Sequence, residues 1–299
     1  MKFAIFVAAH SAAPHLGLVD DEAGLMLDLT AAGLPDTLVK LIEEGRQGLA
    51  KVADLEARTP RASWIPLSEV TLRPPLQMRR NIFCVGKNYR SHAQEFHASG
   101  FDANSSASKS AIPQFPVVFS KAPTSVIATL ESIPSHLDDT QSVDYEGELG
   151  VVMGRGGRAI AREAAMEHVF GFTIINDVTS RHLQRDHVQW FLGKSIDGFC
   201  PMGPWVTTQD EMKGLSSLSL RTFVDGDIRQ QARFSDMIFD IPTLNETISR
   251  RTTLLPGDVI ATGTPEGVGI GFKPPKFLQP GQIVRIEVDG IGTLENPVA

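Results

Sequence analysis

The sequence predicts an α+β protein that is predominantly β. Runs rich in β-branched and aromatic residues, such as 117–119 and 169–175, are short and are bounded by proline or asparagine. Pro-Gly pairs at 256–257 and 280–281 each precede such a run and favour a type II turn. Only a few stretches have the apolar spacing of a helix. The repeated turns favour a β-barrel or β-roll as the main body.

The 299 residues allow a large core and about two domains. We predict a small N-terminal α/β domain over residues 1–75 and a main domain over 76–299. In the first part, strands are expected at 3–7 and 16–29, with a turn at 20–24 inside the second. A helix over 34–55, weakened by Gly45 and Gly48, and a proline-punctuated connector over 64–76 follow. Nothing in this part has the pattern of a chemical site.

The composition excludes several classes of partner. Hydrophobic residues make up 42% and charged residues 21% of the chain, as in ordinary globular proteins. A net charge of −7 and a pI near 5.6 argue against nucleic acid and against an anionic membrane surface. No apolar run approaches the length of a transmembrane helix. Two distant cysteines, Cys84 and Cys200, form no disulfide framework, which favours a reducing cytoplasm.

The segment 143–153 carries an unusual concentration of acidic residues. Read as an extended strand, it places Asp144, Glu146 and Glu148 on one face. Three neighbouring carboxylates repel one another, and a bound cation would remove that repulsion. The alternative interpretation is a solvated strand face with no ligand.

A possible general base follows the predicted strand at 81–86. If Asn88 caps a short helix, His92 and Glu95 stand three residues apart and adjacent on its surface. A carboxylate beside an imidazole fixes the tautomer and raises the basicity of the ring. The alternative is an exposed pair without a role. The Ser- and Gly-rich stretch 98–114 suits a loop, so the base is expected on a lid.

Two further polar residues stand at the ends of predicted elements. Asp177 follows the apolar strand 169–175, where it is either a ligand for metal or substrate or the cap of a helix over 178–192. Lys194 opens a turn-rich segment, and its alternative is an ordinary surface lysine.

The glycine-rich stretch 261–271 does not indicate a nucleotide site. It lacks the Gly-Lys-Ser/Thr ending of a P-loop and contains no G-x-G-x-x-G. The better functional interpretation is a loop whose backbone N–H groups and Thr264 hydroxyl approach a small carboxylate.

Taken together, these motifs resemble the fumarylacetoacetate hydrolase family over about residues 80–298, in the family's order. The matching segments are 85–89 with His92 and Glu95, 144–148, 176–179, 194–198 and 262–265. Residues 1–75 are similar to the small N-terminal domain of many bacterial members. The resemblance implies a mixed β-sandwich roll, one Mg²⁺ or Mn²⁺ per subunit, and a homodimer.

The resemblance also implies roles for individual residues. It gives three metal ligands, which are Glu146, Glu148 and Asp177. It gives catalytic roles to Lys194 and to a base dyad formed by His92 and Glu95. It gives contacts with the substrate to Lys87, Arg181, Gln184 and Thr264. Asp144 is then expected to support the site without touching the ion. The sequence departs from the family at His182, where the family often has aspartate after the arginine, so no role is carried over to that position.

The expected chemistry follows from the donor set. Carboxylate oxygens without cysteine suit Mg²⁺ or Mn²⁺ and leave positions for water and a 2-oxo acid. We therefore expect a metal-dependent hydrolase that cleaves a C–C bond in acylpyruvate-like or related β-diketo acids through a metal-held enolate, as in aromatic catabolism. The same site could serve an isomerase, hydratase or decarboxylase of 2-oxo diacids such as 2-hydroxyhepta-2,4-diene-1,7-dioate or oxaloacetate. A non-catalytic binder with a structural ion is the third hypothesis.

Overall fold

The structure is a computed structural model that describes residues 1–8, 13–102 and 110–299. The predicted loop over 98–114 therefore lies partly outside the described residues.

The chain is built mainly from short strands, as predicted. The strands are β1 (Lys2–Ala8), β2 (His15–Asp20), β3 (Leu25–Asp28), β4 (Ile65–Pro66), β5 (Val70–Arg73), β6 (Ile82–Gly86), β7 (Val117–Lys121), β8 (Val126–Ile127), β9 (Val143–Asp144), β10 (Gly147–Met153), β11 (Val169–Asn176), β12 (Thr179–Ser180), β13 (Cys200–Thr208), β14 (Ser219–Val224), β15 (Asp227–Arg233), β16 (Val259–Ala261), β17 (Ile283–Val288) and β18 (Gly292–Pro297). The prediction of a predominantly β protein is confirmed.

Helices are fewer and mostly short. They are α1 (Leu38–Arg58), α2 (Arg90–Ala98), α3 (Arg181–Asp186), α4 (Phe191–Lys194) and α5 (Ile241–Ser249). The predicted first helix is present but shifted towards the C-terminus, because Thr37 caps it by accepting a hydrogen bond from the Lys40 N–H. Gly45 interrupts it with a φ of 59°, a conformation that glycine adopts without steric penalty.

The largest sheet is mixed, and it contains strands from residue 2 to residue 261. Its main order is β4-β3-β2-β1-β13-β11-β10-β16-β6-β7. Most neighbours are antiparallel, whereas β16 pairs with β6 in parallel. Since β1 pairs directly with β13, the N-terminal segment extends the sheet of the main body. A domain boundary near residue 75 stays a prediction.

A second sheet, of order β15-β14-β17-β18, covers one face of the large sheet. The contact is closest at Gly147, where an added Cβ would lie 2.3 Å from the Thr222 hydroxyl and 3.3 Å from an Ile286 methyl. The apolar residues of β10, including Leu149 and Val151, are buried in this layer. The two packed sheets agree with the expected sandwich and fix the backbone around the acidic segment.

The predicted helix over 178–192 is wrong. The chain instead forms β12, then α3, then a turn, and only then α4. Val188 has a φ of 61°, which an α-helix cannot contain, and it separates the two helices. The cap assigned to Asp177 is wrong too, because α3 begins after Ser180. Within the described ranges, no helix has the length and apolar character needed to cross a membrane.

Candidate active site

Strand register brings the three predicted metal ligands together. β10 and β11 are antiparallel, with Gly147 opposite Asn176. One step further, the Asp177 N–H donates to the Glu146 carbonyl at 2.8 Å, so Glu146 and Asp177 face each other across the strands. Glu148 lies two residues along and projects to the same side as Glu146. One oxygen from each of the three carboxylates lies within 4.8 Å of the others.

The backbone between the acidic residues is held by buried amide side chains. The Asn176 side chain accepts from the Glu146 N–H at 3.0 Å, and the Gln230 side chain accepts from the Gly147 N–H at 3.0 Å. Gln230 also donates to the Thr264 hydroxyl at 2.7 Å. These bonds fix the spacing of the carboxylates before any ligand arrives. Gln230 was not anticipated from the sequence, because its position in β15 carries no motif.

The carboxylate cluster is shielded from solvent, so the solvated-face interpretation is wrong. Glu146 is 4% exposed, Glu148 1% and Asp177 0%. Burial, followed by the negative charges of Asp177 and Glu146, raises the pKa of Glu148 well above its usual range. Burial also acts to raise the pKa of Glu146, but the positive charges of Lys194 and Arg181 outweigh it and hold that pKa well below normal. Adjacent carboxylates thus differ in proton affinity.

Lys194 is a buried cation of the site, and the surface-lysine alternative is wrong. Its ammonium group lies 2.6 Å from Glu146 Oε2 and 2.6 Å from Asp177 Oδ2. Burial acts to lower the pKa of Lys194, but the two carboxylates outweigh it and raise that pKa. Since an ammonium group has three donors, the two ion pairs leave one N–H for another acceptor.

A second buried lysine, Lys121 at the end of β7, also contacts the cluster. Its Nζ lies 2.7 Å from Asp177 Oδ1 and donates to the Val178 carbonyl at 3.0 Å. The side chain is completely buried. Lys121 was not predicted as a site residue, because a lysine that ends an apolar strand gives no local signal of a buried ion pair.

Replacing Lys121 with methionine should lower the free energy of unfolding of the metal-free protein by about 3 kcal/mol. The substitution keeps the length of the side chain but leaves part of the buried Asp177 charge uncompensated. Urea denaturation measures the difference. The matched control is Lys40→Met, which removes a solvent-exposed ion pair with Asp36 and should change stability by less than about 1 kcal/mol. Equal losses in the two variants would contradict the structural role of Lys121.

Arg181 links the metal cluster to Asp144. Its Nε donates to Asp144 Oδ2 at 2.8 Å, its Nη2 lies 2.6 Å from Glu146 Oε1, and its Nη1 donates to Gln184 Oε1 at 3.1 Å. Asp144 also accepts from the Gly269 N–H at 2.6 Å. The side chain of Asp144 is thereby turned towards Arg181 and the glycine-rich loop, in agreement with its expected supporting position. Arg181 and Gln184 both line the cavity. Because they are hydrogen-bonded to each other, fewer of their polar groups are left to bind a substrate.

The expected base pair lies on α2. His92 Nδ1 is 3.3 Å from Glu95 Oε2, and the Glu95 carboxylate accepts from the Gly267 N–H at 3.0 Å. His92 is only 5% exposed, which excludes the exposed-pair alternative. With Nδ1 facing Glu95, the second ring nitrogen is left for a proton from the cavity. The predicted helix cap is wrong. The Asn88 side chain instead donates to the carbonyls of Phe239 and Thr262 and accepts from the Phe239 N–H, with distances of 2.7–3.0 Å.

Lys87 and Thr264 also border the cavity, but each has a protein partner. Lys87 has a φ of 56° and pairs with Asp102 at 2.6 Å. The Thr264 hydroxyl donates to the Gly147 carbonyl at 3.0 Å. Neither residue contacts the carboxylate cluster through a described hydrogen bond. Their predicted contacts with a substrate stay a prediction.

The predicted residues line one small cavity of about 10 Å³, which has room for about one water molecule. Eight of the ten line it, namely Lys87, His92, Glu146, Glu148, Arg181, Gln184, Lys194 and Thr264. The other two lie directly behind this lining, Glu95 against His92 and Asp177 against Lys194. The remaining lining includes the rings of Phe96, Phe119 and Trp190.

The residues present fit a hard divalent cation. Three carboxylate oxygens converge without any sulfur donor, a set that suits Mg²⁺ or Mn²⁺. The buried charges agree: among the described residues, the carboxylates of Asp144, Glu146 and Asp177 form ion pairs with the three cations Lys121, Arg181 and Lys194, and the Glu148 carboxylate lies beside them. When all four carboxylates are ionised, they carry one negative charge more than the three cations, so a divalent ion would convert the cluster to net positive and favour an anionic ligand.

The fold and the buried carboxylates point to one class of protein, that of enzymes with an acidic cluster inside a β-sandwich roll. The family model described as fumarylacetoacetate (FAA) hydrolase C-terminal matches residues 81–299. The chain belongs to the fumarylacetoacetate hydrolase family, as the sequence motifs predict, and this superfamily comprises hydrolases, isomerases and tautomerases of oxo acids.

Relatives cover nearly the whole chain. Oxaloacetate tautomerase YisK of Bacillus subtilis (strain 168) is 43% identical over 298 residues, 95% of each chain. A solved fumarylacetoacetate hydrolase from the psychrophilic Exiguobacterium antarcticum is 40% identical, with a TM-score of 0.81 and coverage of 100% of this chain and 99% of that one. Maleylpyruvate hydrolase from Sphingobium sp. SYK-6, solved with manganese(II) and pyruvate, is 28% identical, with a TM-score of 0.78 and the same coverage. The expected fold is confirmed.

Proposed function

We propose that this protein is a keto–enol tautomerase of a compact 2-oxo diacid of the oxaloacetate type. The observation that carries the proposal is the convergence of His92 and Lys194 with the buried carboxylates of Glu146 and Glu148 on one cavity. Tautomerisation needs one acid–base group and positive charge beside the 2-oxo oxygen. The 43% identity with an oxaloacetate tautomerase along both chains supports the same choice over the hydrolase expected from the motifs.

The metal ligands in this proposal are Glu146, Glu148 and Asp177. When bound, Mg²⁺ or Mn²⁺ would supply positive charge next to the carboxylate and 2-oxo oxygens of the substrate. The free N–H of Lys194 points to the same chemistry, because it can donate to an oxygen that gains negative charge.

His92 carries the proton in this proposal. The neutral ring accepts a proton from C3 of the substrate, and the C–H electron pair moves to form the C2–C3 double bond while negative charge develops on the 2-oxo oxygen. His92 then returns the proton to that oxygen, so the C3–H bond is exchanged for an O–H bond and the ring regains its starting state. Glu95, held by the Gly267 N–H, stabilises the transiently charged ring.

A C–C hydrolase of acylpyruvate-like acids is the second candidate. The observation in its favour is the fold shared with a maleylpyruvate hydrolase that was solved with manganese(II) and pyruvate. In this reaction His92 would activate a water molecule for attack on a carbonyl further along the chain. Hydrolysis thus needs a positioned water molecule and room for a leaving acyl group, whereas tautomerisation needs only the proton transfer by His92.

The two candidates are separated by their products. Freshly dissolved enol oxaloacetate is mixed with enzyme, and the decay of its ultraviolet absorbance is followed beside NMR analysis of the products. We expect accelerated conversion to the keto form, suppression by EDTA, and recovery with Mg²⁺ or Mn²⁺. Acetylpyruvate incubated in parallel should yield little acetate. Rapid acetate release without faster ketonisation would establish the hydrolase instead.

We also propose one Mg²⁺ or Mn²⁺ per subunit, a homodimer, and a cytoplasmic location. The hard donor set supports the choice of metals. The free, buried thiols of Cys84 and Cys200 support a reducing compartment. The homodimer rests on the resemblance described from the motifs.

A further inference from the structure

An aromatic wall closes one side of the cavity. The Trp190 ring lies edge-on to Phe119, with centroids 5.1 Å apart, and edge-on to Phe96, with centroids 5.8 Å apart. All three rings border the cavity that contains Glu146, Glu148 and Lys194. None of these rings takes part in the proton transfer proposed for His92.

Trp190 occupies the space left by a missing side chain. A Cβ added to Gly86, the last residue of β6, would lie 2.5 Å from Cζ3 and 2.9 Å from Cη2 of the indole ring. Gly86 does not adopt a left-handed φ, so its backbone conformation does not require glycine. The reason for glycine at this position is therefore the indole ring itself.

The position of Trp190 is tied to that of Lys194. Trp190 immediately precedes α4, and its carbonyl accepts from the Lys194 N–H at 3.0 Å. The wall and the buried ammonium group thus belong to the same helical turn. A substrate group that extends from the carboxylate cluster past Lys194 towards Trp190 would meet the indole ring.

We propose that Trp190, seated on Gly86, sets the upper size limit of the substrate and restricts the site to compact 2-oxo acids. This inference rests on the proposed function for the identity of the small substrate. Removal of the indole ring would open space next to Gly86 and towards Lys87, whose ammonium group lies 5.2 Å from the Phe96 ring centroid. Longer 2-oxo acids would then gain room beyond the reacting carbon.

The first test compares Trp190→Ala and Trp190→Leu with the unmodified enzyme, each loaded with Mn²⁺. Binding of unbranched 2-oxo acids from pyruvate to 2-oxooctanoate is measured by calorimetry. For the unmodified enzyme, affinity should fall as the chain lengthens. In the variants, the ratio of long-chain to pyruvate affinity should rise at least about tenfold, in line with the selectivity of apolar pockets for one or two methylene groups. Phe115→Ala, which removes a ring that is 72% exposed, should leave the ratio unchanged.

A second test examines the packing directly and needs no turnover. Gly86→Ala should lower the melting temperature in the Trp190 background, because its methyl group overlaps the indole ring, and should have little effect in the Trp190→Ala background. Additive effects of the two substitutions, or an unchanged chain-length ratio in both folded Trp190 variants, would overturn the inference. If the binding ratio shifts while oxaloacetate is not ketonised, the size limit stands and the proposed function fails.

Discussion

Replacing Glu148 with glutamine is expected to abolish turnover and to weaken Mn²⁺ binding by at least about a hundredfold. The amide keeps the shape of the side chain but removes one of the three convergent anionic donors. Its carbonyl oxygen can still accept from the Gly263 N–H, the bond that Glu148 Oε2 makes at 2.8 Å. The fold should therefore survive the substitution, and calorimetric titration with Mn²⁺ measures the loss of affinity.

The pKa of Glu148 gives this prediction a pH signature. Because burial and the neighbouring carboxylates raise that pKa in the metal-free fold, folding is relatively favoured below the ordinary carboxyl range and loses this contribution as the pH rises through the raised value. Glu148→Gln resembles the protonated form and should be at least as stable as the unmodified metal-free protein. Mn²⁺ must displace the proton of Glu148, so its apparent affinity should increase with pH in the unmodified protein.

The matched control is Glu266→Gln, which makes the same chemical change at an exposed position of the glycine-rich loop. It should leave Mn²⁺ affinity within about twofold of the starting value, because an exposed charge is screened by solvent. Wild-type Mn²⁺ affinity in Glu148→Gln, or an affinity independent of pH in the unmodified protein, would remove Glu148 from the set of metal ligands.

The parts of the fold predicted correctly depend on short-range patterns. β-branched runs and Pro-Gly turns located the strands, because alternation and turn chemistry are properties of neighbouring residues. The prediction of a helix over 178–192 was wrong because it also depended only on neighbouring residues. The segment contains Val188, whose positive φ ends the helix and is not revealed by local propensity.

The candidate site, like the fold, was predicted only in part from the sequence. Family motifs identified the acidic residues, but their convergence depends on the register that places Gly147 opposite Asn176. Lys121 was missed because it belongs to a different strand, and only the packed sheet brings its ammonium group to Asp177. The contact between Trp190 and Gly86 joins residues about a hundred positions apart in sequence and likewise has no sequence signature.

These non-local contacts explain how adjacent carboxylates acquire different properties. Glu146 contacts both Arg181 and Lys194, which hold its pKa low, whereas burial and the negative charges of Asp177 and Glu146 raise the pKa of Glu148. The cluster thus offers ionised oxygens and one exchangeable proton at the same place. A cation with two positive charges would relieve the repulsion that the three protein cations leave uncompensated.

Replacing His92 with alanine should lower kcat by about a thousandfold while Mn²⁺ affinity stays within about twofold. The imidazole borders the cavity and contacts Glu95, but it is not among the three convergent ligands. Ketonisation kinetics and Mn²⁺ titration of the same preparation measure the two effects. His97→Ala is the matched control, since His97 lies on the same helix and should lose no more than about twofold in kcat.

Glu95→Gln distinguishes proton transfer from positioning. The amide can still accept from the Gly267 N–H and hold the ring, but it cannot stabilise a charged imidazole electrostatically. We therefore expect a loss in kcat of about ten- to a hundredfold, smaller than that of His92→Ala. Equal losses in the two variants would mean that the charge of Glu95 is indispensable. Unchanged kcat in His92→Ala would require another base, and no other imidazole among the described residues borders the cavity.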